Sequence, residues 1–168
     1  MSRIKLILYP DAVLRQKALP VKNVDGKVYD LITAMKKIMY ENRGIGLAAP
    51  QVGYLQRIII ADVEGHFLAL INPEVIQGTG KEKQEEGCLS LPDIRVNVSR
   101  NSGILVRGLD INGNERQLEL HGLMARVVQH ETDHLNGRLI IDYATTPERI
   151  KLADALAKLE KKYPFTSL

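Results

Sequence analysis

Residues 122–137, GLMARVVQHETDHLNG, decide how this chain is built. Leu123, Val127, His130 and His134 recur at spacings of four, three and four, which predicts one face of an α-helix, and Asn136-Gly137 follows as its stop signal. On such a helix residues four apart stand about 5–6 Å from each other at Cβ, so the imidazoles of His130 and His134 can reach one metal ion. Glu131, beside the first of them, is placed to act as base toward a water on that metal. His-Glu-x-x-His also arises by chance in helices that bind nothing, where both histidines are half-buried and hydrogen-bonded to neighbours. Against that reading, the chain has only 4 histidines, and two of them flank this glutamate at ligand spacing.

A catalytic metal needs a third protein ligand. In the extended pattern H-E-x-x-H-x-x-G-x-x-H the last histidine would fall where this chain has Ile140, which excludes that class. A glutamate from a later helix would be Glu148 or Glu160, and both read as solvated charges on an amphipathic helix over PERIKLADALAKLEKKY, residues 147–163. The remaining soft ligand is Cys88, the only cysteine. A lone cysteine is most often a small buried hydrophobe. Here EEGCLSLP, residues 85–92, sets it beside Gly87, which permits close backbone approach, and ahead of Ser90 and Pro92, which read as the end of a strand. A Cys/His/His set leaves the fourth tetrahedral position open, as in catalytic rather than structural sites.

A third segment, GIGLAAPQVG at residues 44–53, is too small and apolar for a surface loop, yet Gly44, Gly46, Pro50 and Gly53 interrupt any long helix or central strand. It matches neither glycine-rich phosphate spacing. It offers exposed backbone and one neutral amide, Gln51, which beside a metal can hydrogen-bond an oxyanion without competing as a ligand. The plainer reading is a buried packing loop with an incidental glutamine.

Together GIGLAAPQVG, EEGCLSLP and QHETDHLNG, in this order, closely resemble the three signature motifs of the peptide deformylase family, and the resemblance runs from YPDAVLR, residues 9–15, to the helix near the end. Members of that family remove the formyl group from the initiator methionine of nascent bacterial and organellar polypeptides. The resemblance implies that Cys88, His130 and His134 bind the metal and that Glu131 is the general acid/base. It further implies that Gln51 and the Leu89 backbone N–H stabilise the oxyanion, and that Ile45, Gly46 and Gly87 pair with the substrate as with an added strand. The helix face carrying Leu123 and Val127 would form the methionine pocket. Iron(II) is the implied metal, although the ligand set also suits zinc, cobalt or nickel. In some members the terminal helix docks on the ribosome, so its basic residues Lys158, Lys161 and Lys162 become a candidate contact. Asp133 is a candidate partner for a ligand histidine or, equally, a solvated charge on the helix. Two features depart from the pattern: Ala12 stands where the family often has proline, and Arg126 lies on or next to the pocket face, where only its aliphatic stem fits if the guanidinium turns away.

The composition agrees. At 168 residues with 45% hydrophobic content the chain suits one domain, 1–168, of α+β class, with mainly antiparallel strands around a central metal-binding helix and further helices near each end. VDGKVYDLITAMKKIMYEN, residues 24–42, predicts the first helix, with Val28, Leu31, Ile32, Met35, Ile38 and Met39 inward. RIIIADV, FLALINP, IRVNVSR and GILVRGLD predict strands, and Asn112-Gly113 predicts a two-residue hairpin turn. No apolar run is long enough for a membrane span, no signal-peptide core precedes the first proline, and one cysteine allows no internal disulfide, so the expected compartment is the cytoplasm. A net charge of +3, with 6 Tyr, 2 Phe and no Trp, gives little basis for sequence-specific nucleic-acid binding. The rival readings are a zinc endopeptidase and a structural metal module, for which His66 and His121 would be the spare ligands.

Overall fold

The computed structural model describes residues 4–164. The first helix, α1 (Gly26–Glu41), starts where Asp25 accepts the N–H groups of Lys27 and Val28, and it buries the six apolar residues expected of it. The chain then enters β1 (Gly46–Ala48), a short 3-10 turn at Ala49–Val52, and the strands β2 (Ile58–Val63) and β3 (His66–Thr79). Next come β4 (Glu82–Cys88), β5 (Leu91–Arg100), β6 (Gly103–Leu109) and β7 (Glu115–His121). The helix α2 (Gly122–His134) follows directly, and α3 (Thr146–Lys162) comes after a short 3-10 turn at Ile140–Tyr143.

Five strands form one antiparallel sheet in the order β1-β2-β3-β6-β7, while β4 and β5 pair as a separate hairpin. Three apolar clusters hold these parts. One packs α1 against β1, β2 and β3, through Met35, Met39, Leu47 and Ile58. Another packs Ala125 and Val128 of α2 against Ile59, Leu70 and Val106 of the sheet. The third packs Leu91, Ile94, Val96 and Val98 of β5 with Leu14 and Leu139. The helix α2 thus packs on the large sheet, and on its other side Arg126, His130 and Asp133 reach Glu86 and Arg100 of the hairpin. No helix of the described residues is long and apolar enough to cross a membrane.

Three local expectations need correction. Pro92 does not end a strand but is the second residue of β5, tolerated because a two-stranded sheet leaves every strand one free edge. The register jumps there from Gly87↔Arg95 to Cys88↔Leu91, a bulge that turns Cys88 out of the regular pleat. The Asn112-Gly113 turn is longer than two residues: β6 and β7 close at Leu109↔Glu115, and Asp110 Oδ1 accepts the N–H groups of Asn112 and Asn114. In α3 the sequence puts Ile150, Leu152, Ala153, Leu156 and Leu159 on one mostly apolar side, but Leu152, Leu156 and Leu159 pack on the hairpin core with Ala155, whereas Ile150 is 72% exposed and Ala153 faces outward.

Candidate metal centre and active-site cleft

Cys88 comes from the bulged end of β4, and His130 and His134 from the last two turns of α2. Their ligand atoms lie within 4.8 Å of one another, the only such group of three or more among the described residues. His134 Nε2 stands 3.3 Å from His130 Nε2 and 3.4 Å from Cys88 Sγ. Bonds of about 2.0–2.1 Å to nitrogen and 2.3 Å to thiolate around a tetrahedral ion place ligand atoms about 3.3–3.6 Å apart, so these spacings fit one small divalent ion. Glu148 and Glu160 lie elsewhere: Glu148 bonds Thr145 and Asn97, and Glu160 accepts from Tyr9. His121 faces Glu119 on β7, and neither it nor His66 joins the cluster.

The histidines are oriented from behind. Glu86, two residues before the cysteine, places Oε2 2.9 Å from His130 Nδ1, which leaves Nε2 for the ion. Glu86 itself is buried and gripped by Arg100, whose Nε and Nη2 donate at 2.8 and 2.9 Å. Burial alone would raise the Glu86 carboxyl, but Arg100 and His130 outweigh it and bring it down to about 2. Asp133 does not touch a ligand, contrary to expectation. It accepts from Arg100 Nη1 at 2.6 Å and from the Tyr143 hydroxyl at 2.7 Å, one step further out.

The electrostatics favour a cation at this point. Burial pulls both imidazoles toward the neutral form, and in His134 that effect, with neighbouring His130, prevails. In His130 the burial effect is overcome by Glu131, Cys88 and Glu86, which hold it well above the usual histidine value. Glu131 is 4% exposed, and its Oε2 has no hydrogen-bond partner among the described residues. Burial, against the pull of His130 and Arg100, lifts its carboxyl to about 7.

Gln51 is buried with its amide fixed: Oε1 accepts the Ala48 N–H at 2.9 Å, while Nε2 donates to Ser90 Oγ at 3.1 Å and points at Cys88 Sγ, 3.6 Å away. A cleft of about 740 Å³ opens over these groups, with Ile45, Gly46, Gly87, Leu89, Leu123 and Val127 on its walls. Ile45 and Leu123 are nearly half exposed, so the mouth carries apolar surface beside the exposed charges of Arg43, Glu85, Asp93 and Arg95. Gly46 is required by the close approach of β1 to α2, since a Cβ there would lie 2.5 Å from Glu131 Oε1 and 2.6 Å from Val127 Cγ1. Arg126 also borders the cleft, but its guanidinium turns into the protein and bonds Glu86, Val98 and Glu82.

The site residues expected from the three motifs therefore border this cleft, except His134, which is buried beneath it beside His130 and Cys88. Glu86 and Arg100 were missed. Within KEKQEEG, residues 81–87, the nearly unbroken run of charge looks like a solvated strand, and only the placement of β5 and α2 over one face turns Glu86 inward.

An antiparallel shell around a helix that presents His-Glu-x-x-His, completed by one cysteine, is the architecture of a mononuclear metallohydrolase. The family model for polypeptide deformylase matches residues 4–150, and the chain belongs to the peptide deformylase family. It is 43% identical over 165 residues to a peptide deformylase of Hydrogenovibrio crunogenus, covering 96% of each chain. To one of Thermodesulfovibrio yellowstonii it is 44% identical over 147 residues, covering 84% of this chain and 89% of that one. Among solved structures it superposes on a Plasmodium falciparum peptide deformylase with a TM-score of 0.90 and 38% identity, covering 95% and 96% of the two chains. A Legionella pneumophila peptide deformylase gives 0.88 and 36%, covering 94% and 95%.

Proposed function

We propose that this enzyme hydrolyses the N-formyl group of nascent polypeptides beginning with formylmethionine, within the cleft over α2, and that the whole chain, 1–168, works as one catalytic domain. Residues 1–3 and 165–168 of that span lie outside the described residues. The observation that carries the assignment of the site is the convergence of Cys88 Sγ, His130 Nε2 and His134 Nε2 beside the buried, unpartnered Glu131 Oε2. Cys88, His130 and His134 would hold one divalent ion, which when bound supplies Lewis-acid polarisation of the formyl carbonyl and a nucleophilic water at neutral pH.

The chain's own residues do the rest. The free edges of β1 at Gly46, with Ile45 just before it, and of β4 at Gly87 take up the peptide backbone, and Leu123 and Val127 face the methionine side chain. Glu131, poised near neutrality, takes a proton from the attacking water and delivers it to the departing amine as the C–N bond breaks and formate is released. Gln51 Nε2 and the Leu89 N–H donate to the oxygen that gains charge as the formyl carbon becomes tetrahedral. Because Ala48 holds the Gln51 carbonyl, the amide needs no reorganisation to present its donor.

Iron(II) is the metal proposed, with zinc, nickel and cobalt compatible with the same ligands. Metal analysis after anaerobic and aerobic purification distinguishes them. Formate release from a formyl-methionyl tripeptide, measured against the acetylated peptide, tests the activity. Cleavage of internal peptide bonds instead would favour an endopeptidase.

The cytoplasm is the proposed compartment, with the ribosome as a partner through the outer face of α3. Arg149, Lys151, Lys158, Lys161 and Lys162 outnumber the acids of that helix, and it packs on the hairpin by one side only. Co-sedimentation with ribosomes at low and moderate salt, comparing the chain with one carrying Lys158→Glu, Lys161→Glu and Lys162→Glu, tests this: phosphate contacts weaken steeply with salt. Equal binding by both proteins removes α3 from the interaction.

A further inference from the structure

Arg126 is the one full charge on the cleft wall formed by α2 whose head group faces away from the cleft. Its side chain is 7% exposed. Nη1 donates to Glu86 Oε1 at 2.8 Å and to Val98 O at 2.9 Å, and Nη2 donates to Glu82 O at 2.6 Å. One planar fork therefore covers three acceptors, a carboxylate and two carbonyls, drawn from both strands of the hairpin. What the cleft meets at this position is the aliphatic stem, next to Val127 and Leu123. An apolar wall here is thus a product of the ion pair behind it.

We propose that Arg126 determines the polarity of the pocket for the substrate's first side chain, by occupying acceptors that would otherwise recognise a cation. The inference rests on the reading of this cleft as the seat of that side chain. With Arg126 shortened, the space of its stem and head group opens toward Glu86, Val98 O and Glu82 O. A lysine side chain has one more non-hydrogen atom than methionine or norleucine and ends in an ammonium with three donors. It can extend into the vacated volume and donate to the freed Val98 and Glu82 carbonyls and to Glu86, which keeps its bonds to Arg100 and His130. Charge-assisted bonds of this kind change affinity by about ten- to a hundred-fold. Because the contact is remote from the reacting carbon, the change belongs in KM more than in kcat.

The test uses the metal-loaded enzyme and formyl tripeptides beginning with methionine, norleucine or lysine. In Arg126→Ala the kcat/KM ratio of lysine to norleucine is expected to rise by about ten- to a hundred-fold over the unaltered chain. Arg126→Lys restores a cation to the acceptors and is expected to keep the original ratio. Ethylguanidinium added to Arg126→Ala should return the ratio toward that of the unaltered enzyme. If Arg126→Ala does not fold, Arg126→Gln, which vacates less space, is expected to show a smaller rise in the same direction. An unchanged ratio in the folded, metal-loaded variant overturns the proposal. Leu123→Trp, which narrows the same cleft, separates the two readings. If it leaves the methionine and norleucine rates unaffected, the cleft is not the side-chain pocket. If it lowers them while Arg126→Ala leaves the ratio unchanged, only the role of Arg126 fails.

Discussion

At the residue scale, Glu131 has a carboxyl near neutrality because burial outweighs the opposing pull of His130 and Arg100. A group at that point can accept and return a proton in one cycle. Replacement by alanine is expected to leave the metal bound and to lower kcat by about 10²–10⁴, whereas Cys88→Ala is expected to lose the metal. Metal per chain and steady-state kinetics on the same preparations check both, and full metal content in Cys88→Ala would refute the three-ligand site. Gly46 is read from sequence as an interruption of regular structure and, through the family resemblance, as a substrate-pairing position, but its neighbours give it a sharper role. Gly46→Ala would push a methyl group against Glu131 and Val127, and overpacking of this kind typically costs about 1–3 kcal/mol. A lower melting temperature together with reduced turnover is the expected result. Normal turnover would mean that β1 yields without moving Glu131.

At the scale of elements, α1 and α2 were legible because each carries an unbroken helical period, ended by Asn42 after α1 and by Asn136-Gly137 after α2. The hairpin of β4 and β5 was only half legible, since its bulge at Cys88 has no signature in residue type. The start of α3 follows its sequence closely. Thr145 caps it, and the Glu148 carboxylate accepts the Thr145 N–H at 2.8 Å and its hydroxyl at 2.9 Å. These bonds, with Asn97, lower the Glu148 carboxyl to about 2. Its folded value lies below its unfolded one, so the capping contribution is fully present above the ordinary glutamate value near 4.3 and is lost as pH falls toward about 2. Melting curves of the chain and of Glu148→Gln should therefore differ in favour of the unaltered chain at pH 6 and converge between pH 4 and 2. A difference independent of pH would mean that the carboxylate charge contributes nothing to the cap.

At the scale of the whole molecule, Arg100 ties the hairpin to the metal helix, reaching Glu86 on β4 and Asp133 on α2 from the end of β5. Arg100→Leu leaves Asp133 and Glu86 short of their main cation, and breaking a buried pair from one side costs about 3–5 kcal/mol. Urea unfolding should show that loss, along with weaker metal retention as His130 loses its fixed support. An unchanged midpoint would mean that the apolar core of β5 holds the hairpin unaided. The sequence by itself determined the helices, most strands and the Cys88, His130 and His134 set that the fold brings together, because periodicity and ligand spacing act over a few neighbours along the chain. It determined the family as well, through three motifs in fixed order. The tertiary structure alone decided that Glu86 faces inward, that Asp133 serves Arg100 rather than a ligand, and that Arg126 turns its charge away from the cleft. Each of those outcomes depends on partners 14 to 44 residues away, and the direction a charged side chain takes is set by the partner that compensates its burial.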